Sequence, residues 1–483
     1  MEKKYIIGID EGTTNARAVL YDIKKKNLVK QESKNFKQFY PNPGWVEHDA
    51  EEIFNAVQQC LSSVLDGIKK DEIYGIGITN QRESVVAWNK KTGKPACKSI
   101  VWQCRRTEKY CENLPKRVKN IIKKKTGLIV DAYFSASKMK WMLENSKKVK
   151  KLAEENNLCF GTMDSFLLYR LTGGENFATD ITNASRTMLF NINTLCWDND
   201  LLKFFGIQKS FLPKVVSNSE ILGYAKTIAG DIPIASMIGD QQSALFGQGC
   251  FSEGMAKDTF GTGCFLLYNS GTKLIKSKNL LTDIAWKIGD NTCYALEGSV
   301  FNAGSAITWL VENMTILSSP KETNNIDKKV SSNLGVYFIP AFTGLGAPHW
   351  KGDVKGMISG LTRGTTKEHI VRACLESMAY SSKDILNNMG EICELRCDGG
   401  VTNSDFLLQF LADLSRVKVT RQKSVEATVL GAIYLAGLAT GAFKNLQEIS
   451  KLIIPTKVFL PKENIDLMEK YYEGWKEAIK HVF

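Results

Sequence analysis

Two segments half a chain apart share one pattern, an apolar strand, a Gly/Thr turn and a second strand. The first is YIIGIDEGTTNARAVLYD at residues 5–22, and the second is AKDTFGTGCFLLYN at residues 256–269. Self-similarity over such a distance implies two related halves, each built around the same unit. At 483 residues the chain is also too long for a single ordinary core. The elements between and beyond these units follow in α/β order. YGIGITN and VVAW read as strands on either side of the polar run NQRES, and LLYRLTGG reads as a helix stopped by glycines. PIASMIGD is a strand that feeds the helix QQSALFGQG. After the second Gly/Thr turn come the amphipathic helix HIVRACLESMAYSSKDILNNM, the strand ELRCD, the turn GGVTN and the helix SDFLLQFLADL. VEATVLGAIYLAGLATGAF has the small residues that let a helix pack closely on a sheet. No Pro/Gly/Ser-rich linker separates the halves, so the boundary is placed near the helix that starts at Gln241, dividing the chain into 1–246 and 247–483.

Gly/Thr turns suit phosphate, because glycine removes the side chain that blocks backbone N–H groups and threonine adds a hydroxyl donor. Gly12, Thr13, Thr14 and Asn15 form the first turn, and Gly261, Thr262 and Gly263 the second. Neither has the P-loop pattern or leads straight into a helix. One such turn alone is more often only a turn; two in matching places point to phosphate binding. Asp10 ends the first strand, where a carboxylate can hold Mg²⁺ through water or simply cap the turn. Asp240 stands between strand and helix, as a cap residue or as a group presented beyond the carboxyl end of a sheet. Arg82 and Glu83 together can donate to and accept from the hydroxyls of a small polyol, or form an ordinary surface ion pair.

Composition removes several function classes. The excess of twelve positive charges is scattered in short groups such as Lys24–Lys26 and Lys123–Lys125, without the stripe or module of a nucleic-acid binder. The twelve cysteines include no Cys-x-x-Cys pair, and the four histidines His48, His349, His369 and His481 lie far apart, so a zinc site is not expected. Buried free thiols in a reducing compartment are expected instead. No run approaches the length of a membrane span, and the opening residues carry no secretory pattern. The expected location is cytoplasmic.

The runs YPNPGWVEHD, GITNQRESVVAW, VWQCRR, GTMDSFLLYRLTGG, DITNASRTMLFNI, IGDQQSALFGQ, GTGCFLLYN, YALEGSVF, PAFTGLGAPHW and GLTRGT occur in consistent order over nearly the whole chain. Together they resemble the FGGY carbohydrate kinases, within the actin-like ATPase superfamily. NQRE with VWQCRR and the DAYFS segment resembles the glycerol-phosphorylating branch. The resemblance implies an α/β fold of two actin-like (ribonuclease H-like) domains, with mixed sheets flanked by helices and the active site in the interdomain cleft. It implies ATP and Mg²⁺ as cofactors, glycerol and ATP/ADP as small-molecule partners, and a homo-oligomer, dimer or tetramer. Glycerol contacts fall on Arg82, Glu83, Tyr133, Asp240 and Gln241, with Trp102 and Phe265 flanking its carbons. The nucleotide falls on Thr13, Thr14, Asn15 and Arg17 from one domain and Thr262, Gly304, Thr308, Gly400 and Ser404 from the other. Asp10 lies near the metal, and Asp240 acts as an orienting base late in the reaction, already ionised because a helix N-terminus favours the anion. A related kinase for a larger polyol or pentulose, or a non-catalytic nucleotide switch, remains as an alternative.

Three positions depart from the family pattern. Glu11 replaces a glutamine, adding negative charge where phosphate and metal meet. Thr308 stands for a glutamine and Ser404 for an asparagine, with Asn403 next door as a substitute. Ala225–Asp231 is shorter and less basic than the loop by which some relatives sense fructose 1,6-bisphosphate, and no histidine lies between His48 and His349 to be phosphorylated. Insensitivity to both controls is the expectation.

Overall fold

The computed structural model describes residues 2–226, 230–423 and 426–483. The segment on which insensitivity to the sugar bisphosphate rests includes residues 227–229, which lie outside the described residues.

The first half opens with strands β1 (Tyr5–Glu11) and β2 (Asn15–Asp22), joined by the first Gly/Thr turn. Gly12 N–H donates to the Asn15 carbonyl at 2.9 Å and closes that turn. β3 (Asn27–Asn35) completes an antiparallel meander. Helix α1 (Ala50–Leu65) is capped by Asp49 and buries Ile53, Phe54, Val57, Cys60, Leu61 and Val64 at helical spacing, against β2 and β3. β4 (Ile73–Asn80) then runs parallel to β1. After the short helix α2 (Ile181–Ser185) come β5 (Gly223–Ala225) and β6 (Ile232–Gly239), and β6 lies parallel to β4. The sheet order is β5-β6-β4-β1-β2-β3. Helix α3 (Asp240–Gly247) leaves the end of β6 directly.

The second half repeats this plan. β7 (Met255–Phe260), β8 (Cys264–Asn269), β9 (Leu281–Ile288) and β10 (Asn291–Val300) are followed by α4 (Gly304–Glu312) and α5 (Lys367–Leu386). β11 (Glu394–Asp398), α6 (Asp405–Ser415), β12 (Val419–Gln422), α7 (Ala427–Ala439) and β13 (Pro455–Phe459) complete the sheet, in the order β9-β10-β8-β7-β11-β12-β13. The antiparallel meander β1-β2-β3 of the first sheet is extended by the parallel strands β4 and β6, and the antiparallel run β7-β8-β10-β9 of the second by the parallel strands β11 and β12. The repeat expected from the Gly/Thr turns therefore extends to antiparallel strands joined to two parallel ones in each sheet, with an additional antiparallel strand in the second.

Helix α7 packs closely on a sheet, as its small residues suggest, but on the sheet of the first half. It lies across β1, β4 and β6 and crosses α3. The glycines that interrupt the strands mark its path. A Cβ on Gly77 would stand 2.3 Å from the Ala432 carbonyl oxygen, and one on Gly431 would stand 2.0 Å from that of Ser243. Backbone is in contact with backbone at both places. Gly77→Ala is accordingly expected to destabilise the fold by about 1–3 kcal/mol through overpacking. The check is the urea midpoint, and an unchanged midpoint would mean that α7 is not seated this tightly.

Of the twelve cysteines, all free, Cys196 and Cys393 are exposed, and the expectation of buried thiols fails at those two.

Candidate active site

Because β1, β4 and β6 are parallel, their carboxyl ends lie level, with Glu11 and Gly239 both in register with Asn80. Whatever follows these strands meets at one edge of the sheet, where open α/β sheets present ligand sites. Asp10, the run Gln81-Arg82-Glu83 and Asp240 all stand there.

Arg82 and Glu83 are not a surface pair: both side chains are at most 2% exposed. The Arg82 guanidinium donates to both oxygens of Glu297, at 2.6 and 3.0 Å, and to Gln242 Oε1 at 3.2 Å. Its Nε lies 3.2 Å from an Asp240 carboxylate oxygen. Glu83 accepts from Arg186, which also holds Asp283 and reaches Glu297 at 3.1 Å. Glu297 and Asp283 belong to β10 and β9, so this network joins the two sheets. Burial alone would raise the Glu297 carboxyl, but the guanidinium groups of Arg186 and Arg82 outweigh it and hold it low. Glu83 takes a backbone φ of +61°, which a residue with a Cβ adopts only under constraint. The constraint is visible: Ser135 Oγ and Lys138 Nζ both donate to its carbonyl, at 3.1 and 3.3 Å. Lys138 is itself buried, and burial pulls its ammonium down to about 8.

Asp240 is the first residue of α3, with Gly239 in the cap position, so the capping alternative is not realised. Its Oδ1 accepts the Gln241 N–H at 2.7 Å, and its side chain stays 31% exposed, open to a ligand. Burial pushes its carboxyl above the usual aspartate range, against the pull of Arg82, the Gln241 N–H and Lys257. Gln241 in turn accepts from Lys257 at 2.6 Å, a fully buried lysine on β7 of the second sheet. Trp102 Nε1 donates to Thr13 Oγ1 at 3.0 Å, and its ring meets that of Tyr133 edge-on, centroids 5.7 Å apart. Burial raises the Tyr133 phenol. Phe265 is half-buried on β8, opposite Ser299.

Around the first turn, Thr13 is partly buried and Thr14 exposed. The Asn15 amide donates to Ser33 at 2.9 Å, and Arg17 is held by Asp10 at 3.1 Å and by Glu426. On the other side a cavity of about 860 Å³ opens over the second Gly/Thr turn, lined by Thr262, Gly304, Thr308, Gly400 and Asn403 among others. Thr308 reaches no further than the Gly304 carbonyl of its own helix, at 3.2 Å. Ser404 does not line the cavity. It is buried and caps α6, accepting the Leu407 N–H at 3.3 Å, while the neighbouring Asn403 lines the cavity.

Glu11 is fully buried and accepts from Gln81 Nε2 at 2.6 Å. Burial raises its carboxyl well above the ordinary glutamate value of 4.5. Burial thus opposes the added negative charge that the sequence suggests at this position. Above that ordinary value the unfolded chain releases a proton that the folded chain keeps, so stability falls as pH rises. Glu11→Gln keeps the acceptor for Gln81 and removes this dependence. Its melting temperature relative to the parent, in EDTA, should rise from about pH 5 to about pH 8. A pH-independent difference would place a charged carboxylate at position 11.

Sequence reasoning did not single out Glu297, Arg186, Asp283, Lys257 or Lys138. Arg186 and Glu297 lie in DITNASRTMLFNI and YALEGSVF, where a charge in an otherwise apolar run was the available signal.

The chain matches the model of the N-terminal domain of the FGGY family of carbohydrate kinases over residues 5–247, and that of the C-terminal domain over residues 256–440. It is 48% identical over 491 residues to a glycerol kinase of Desulforamulus reducens, covering 99% of this chain and 98% of that one. It is 48% identical over 487 residues to glycerol kinase 2 of Thermotoga maritima, with the same coverage. Among solved structures it resembles Plasmodium falciparum glycerol kinase with ADP, at a TM-score of 0.93 and 37% identity, over 100% of this chain and 99% of that chain.

Proposed function

Since the chain belongs to the FGGY family of carbohydrate kinases, we infer that it transfers the terminal phosphoryl group of ATP to glycerol, giving glycerol 3-phosphate and ADP. The observation that carries this reading is the convergence of Arg82, Glu83 and the accessible Asp240 carboxylate at one sheet edge.

Glycerol lies against that edge. Glu83 and Arg82 bond its hydroxyls, Tyr133 and Gln241 complete the polar shell, and Trp102 and Phe265 flank its carbons. Asp240 orients the attacking hydroxyl and accepts its proton as the bond to phosphorus forms, so the proton ends on a carboxylate oxygen. Phosphoryl transfer of this kind asks the protein mainly for alignment and charge stabilisation. The nucleotide occupies the cavity over Thr262, Gly304, Thr308, Gly400 and Asn403, with its phosphates toward Thr13, Thr14, Asn15 and Arg17.

Mg²⁺ keeps most of its waters and takes one or two carboxylates together with phosphate oxygens. No group of three or more His, Cys, Asp and Glu side chains that could hold a metal occurs among the described residues. The partly buried carboxylate of Asp10, on the strand edge facing the first turn, suits the sparser donor set and would hold the ion. Bound there, the ion would supply positive charge against the phosphate oxygens.

The reading includes a division of the chain after residue 246, a cytoplasmic location and self-association as a dimer or tetramer. Among the described residues no helix is long and apolar enough to cross a membrane. The test is release of ADP with glycerol as acceptor, with the product identified by mass.

A further inference from the structure

We propose that Asp180, acting through the hydroxyl of Thr182, is the positioning residue that sets the end of β6 and with it the Asp240 carboxylate. The proposal rests on the reading of Asp240 given above.

Asp180 precedes α2 and is fully buried. One carboxylate oxygen accepts the backbone N–H of Thr182 at 2.8 Å and that of Asn183 at 3.2 Å, the Asn218 amide at 2.9 Å, and the Thr182 hydroxyl. The other accepts the Asn183 amide at 2.6 Å. A helix of five residues needs only the two backbone bonds as its cap, so three side-chain bonds are left to account for.

Each of those three leads to a strand end at the active edge. Thr182, having given its proton to Asp180, must present oxygen lone pairs outward. It accepts the Gly239 N–H at 2.9 Å, the amide immediately before Asp240. Asn218, fixed by Asp180, donates to the Met237 carbonyl at 2.8 Å, two residues earlier on the same strand. Asn183 exchanges amide bonds with Asn80 at 2.9 and 3.1 Å, and Asn80 donates to the Gln81 carbonyl at 2.8 Å, directly before Arg82. One buried carboxylate thus orders the donors and acceptors that hold both β6 and β4 where they deliver Asp240 and Arg82. A merely capping role predicts none of these outward bonds.

The test separates the anchor from the cap. Thr182→Val keeps the shape and both capping N–H bonds but leaves the Gly239 N–H without its acceptor. Thr182→Ser keeps the hydroxyl. Displacement of a reacting group by a fraction of an ångström to about 1 Å costs up to about a hundredfold in rate. Thr182→Val should therefore lose about tenfold to a hundredfold in kcat, with ADP affinity unchanged and faster amide exchange in the peptide holding Gly239. Thr182→Ser should restore kcat to within about threefold of the parent. Asp180→Asn, if it folds, should fall at least as far as Thr182→Val. Near-parental kcat in Thr182→Val, or an equal loss in Thr182→Ser, would overturn the proposal. Unchanged exchange at Gly239 would overturn the anchoring whatever Asp240 does. Failure of the underlying reading would look different: Asp240→Asn would keep its turnover while the exchange difference at Gly239 remained.

Discussion

Asp240→Asn should lower kcat by about 10²- to 10⁴-fold, the usual contribution of a positioned acid or base. The amide keeps an oxygen for the Gln241 N–H, which the carboxylate accepts at 2.7 Å, so the local helix start should survive. It cannot take the hydroxyl proton. ADP affinity should stay within about twofold, because the nucleotide cavity is lined by the second half of the chain. Single-turnover rates with saturating ATP and glycerol, beside ADP titration, check both parts. Turnover close to the parent would leave Asp240 as no more than a partner for Arg82.

Arg82→Ala should act twice. Glycerol loses a donor in a site built to bond hydroxyls, and the glycerol KM should rise by roughly thirtyfold to a hundredfold while that for ATP stays put. The variant should also lose stability, because Glu297 and Glu83 are left buried with one guanidinium between them. Breaking a buried ion pair by removing one partner costs about 3–5 kcal/mol. Arg82→Lys should rescue little, since a lysine cannot bond both Glu297 oxygens and also approach Asp240. A change confined to the ATP KM would put Arg82 on the wrong side of the cleft.

Much of this architecture was legible in the residues. The paired Gly/Thr turns pointed to two related halves, and the register of β1, β4 and β6 explains why Asp10, Arg82 and Asp240 meet although they are spread over 230 positions of chain. Burial was the part least legible. Arg82-Glu83 in a linear string is indistinguishable from a surface pair, since its partners Glu297 and Arg186 come from elements more than a hundred residues away. Glu11 looked like added charge for the same reason, and only its full enclosure shows that burial works against that charge. Ser404 failed differently. A serine before a helix is first a cap, and here the cap won over the cavity, which the neighbouring Asn403 lines instead. The seating of α7 on the opposite sheet had a signal that went unread, since glycines in otherwise apolar strands mark a close approach: Gly77 meets the Ala432 backbone, and Gly8 the side chains of Val429 and Ile433.

Phosphorylation of glycerol at this site is tested by comparing acceptors by ADP release at fixed ATP. The panel should include glycerol, longer polyols, pentuloses and gluconate, with a control lacking any acceptor. Glycerol should show the highest kcat/KM, with stoichiometric glycerol 3-phosphate and little ADP without an acceptor. A higher kcat/KM for a pentulose or gluconate, or ADP release indifferent to the acceptor, would contradict it.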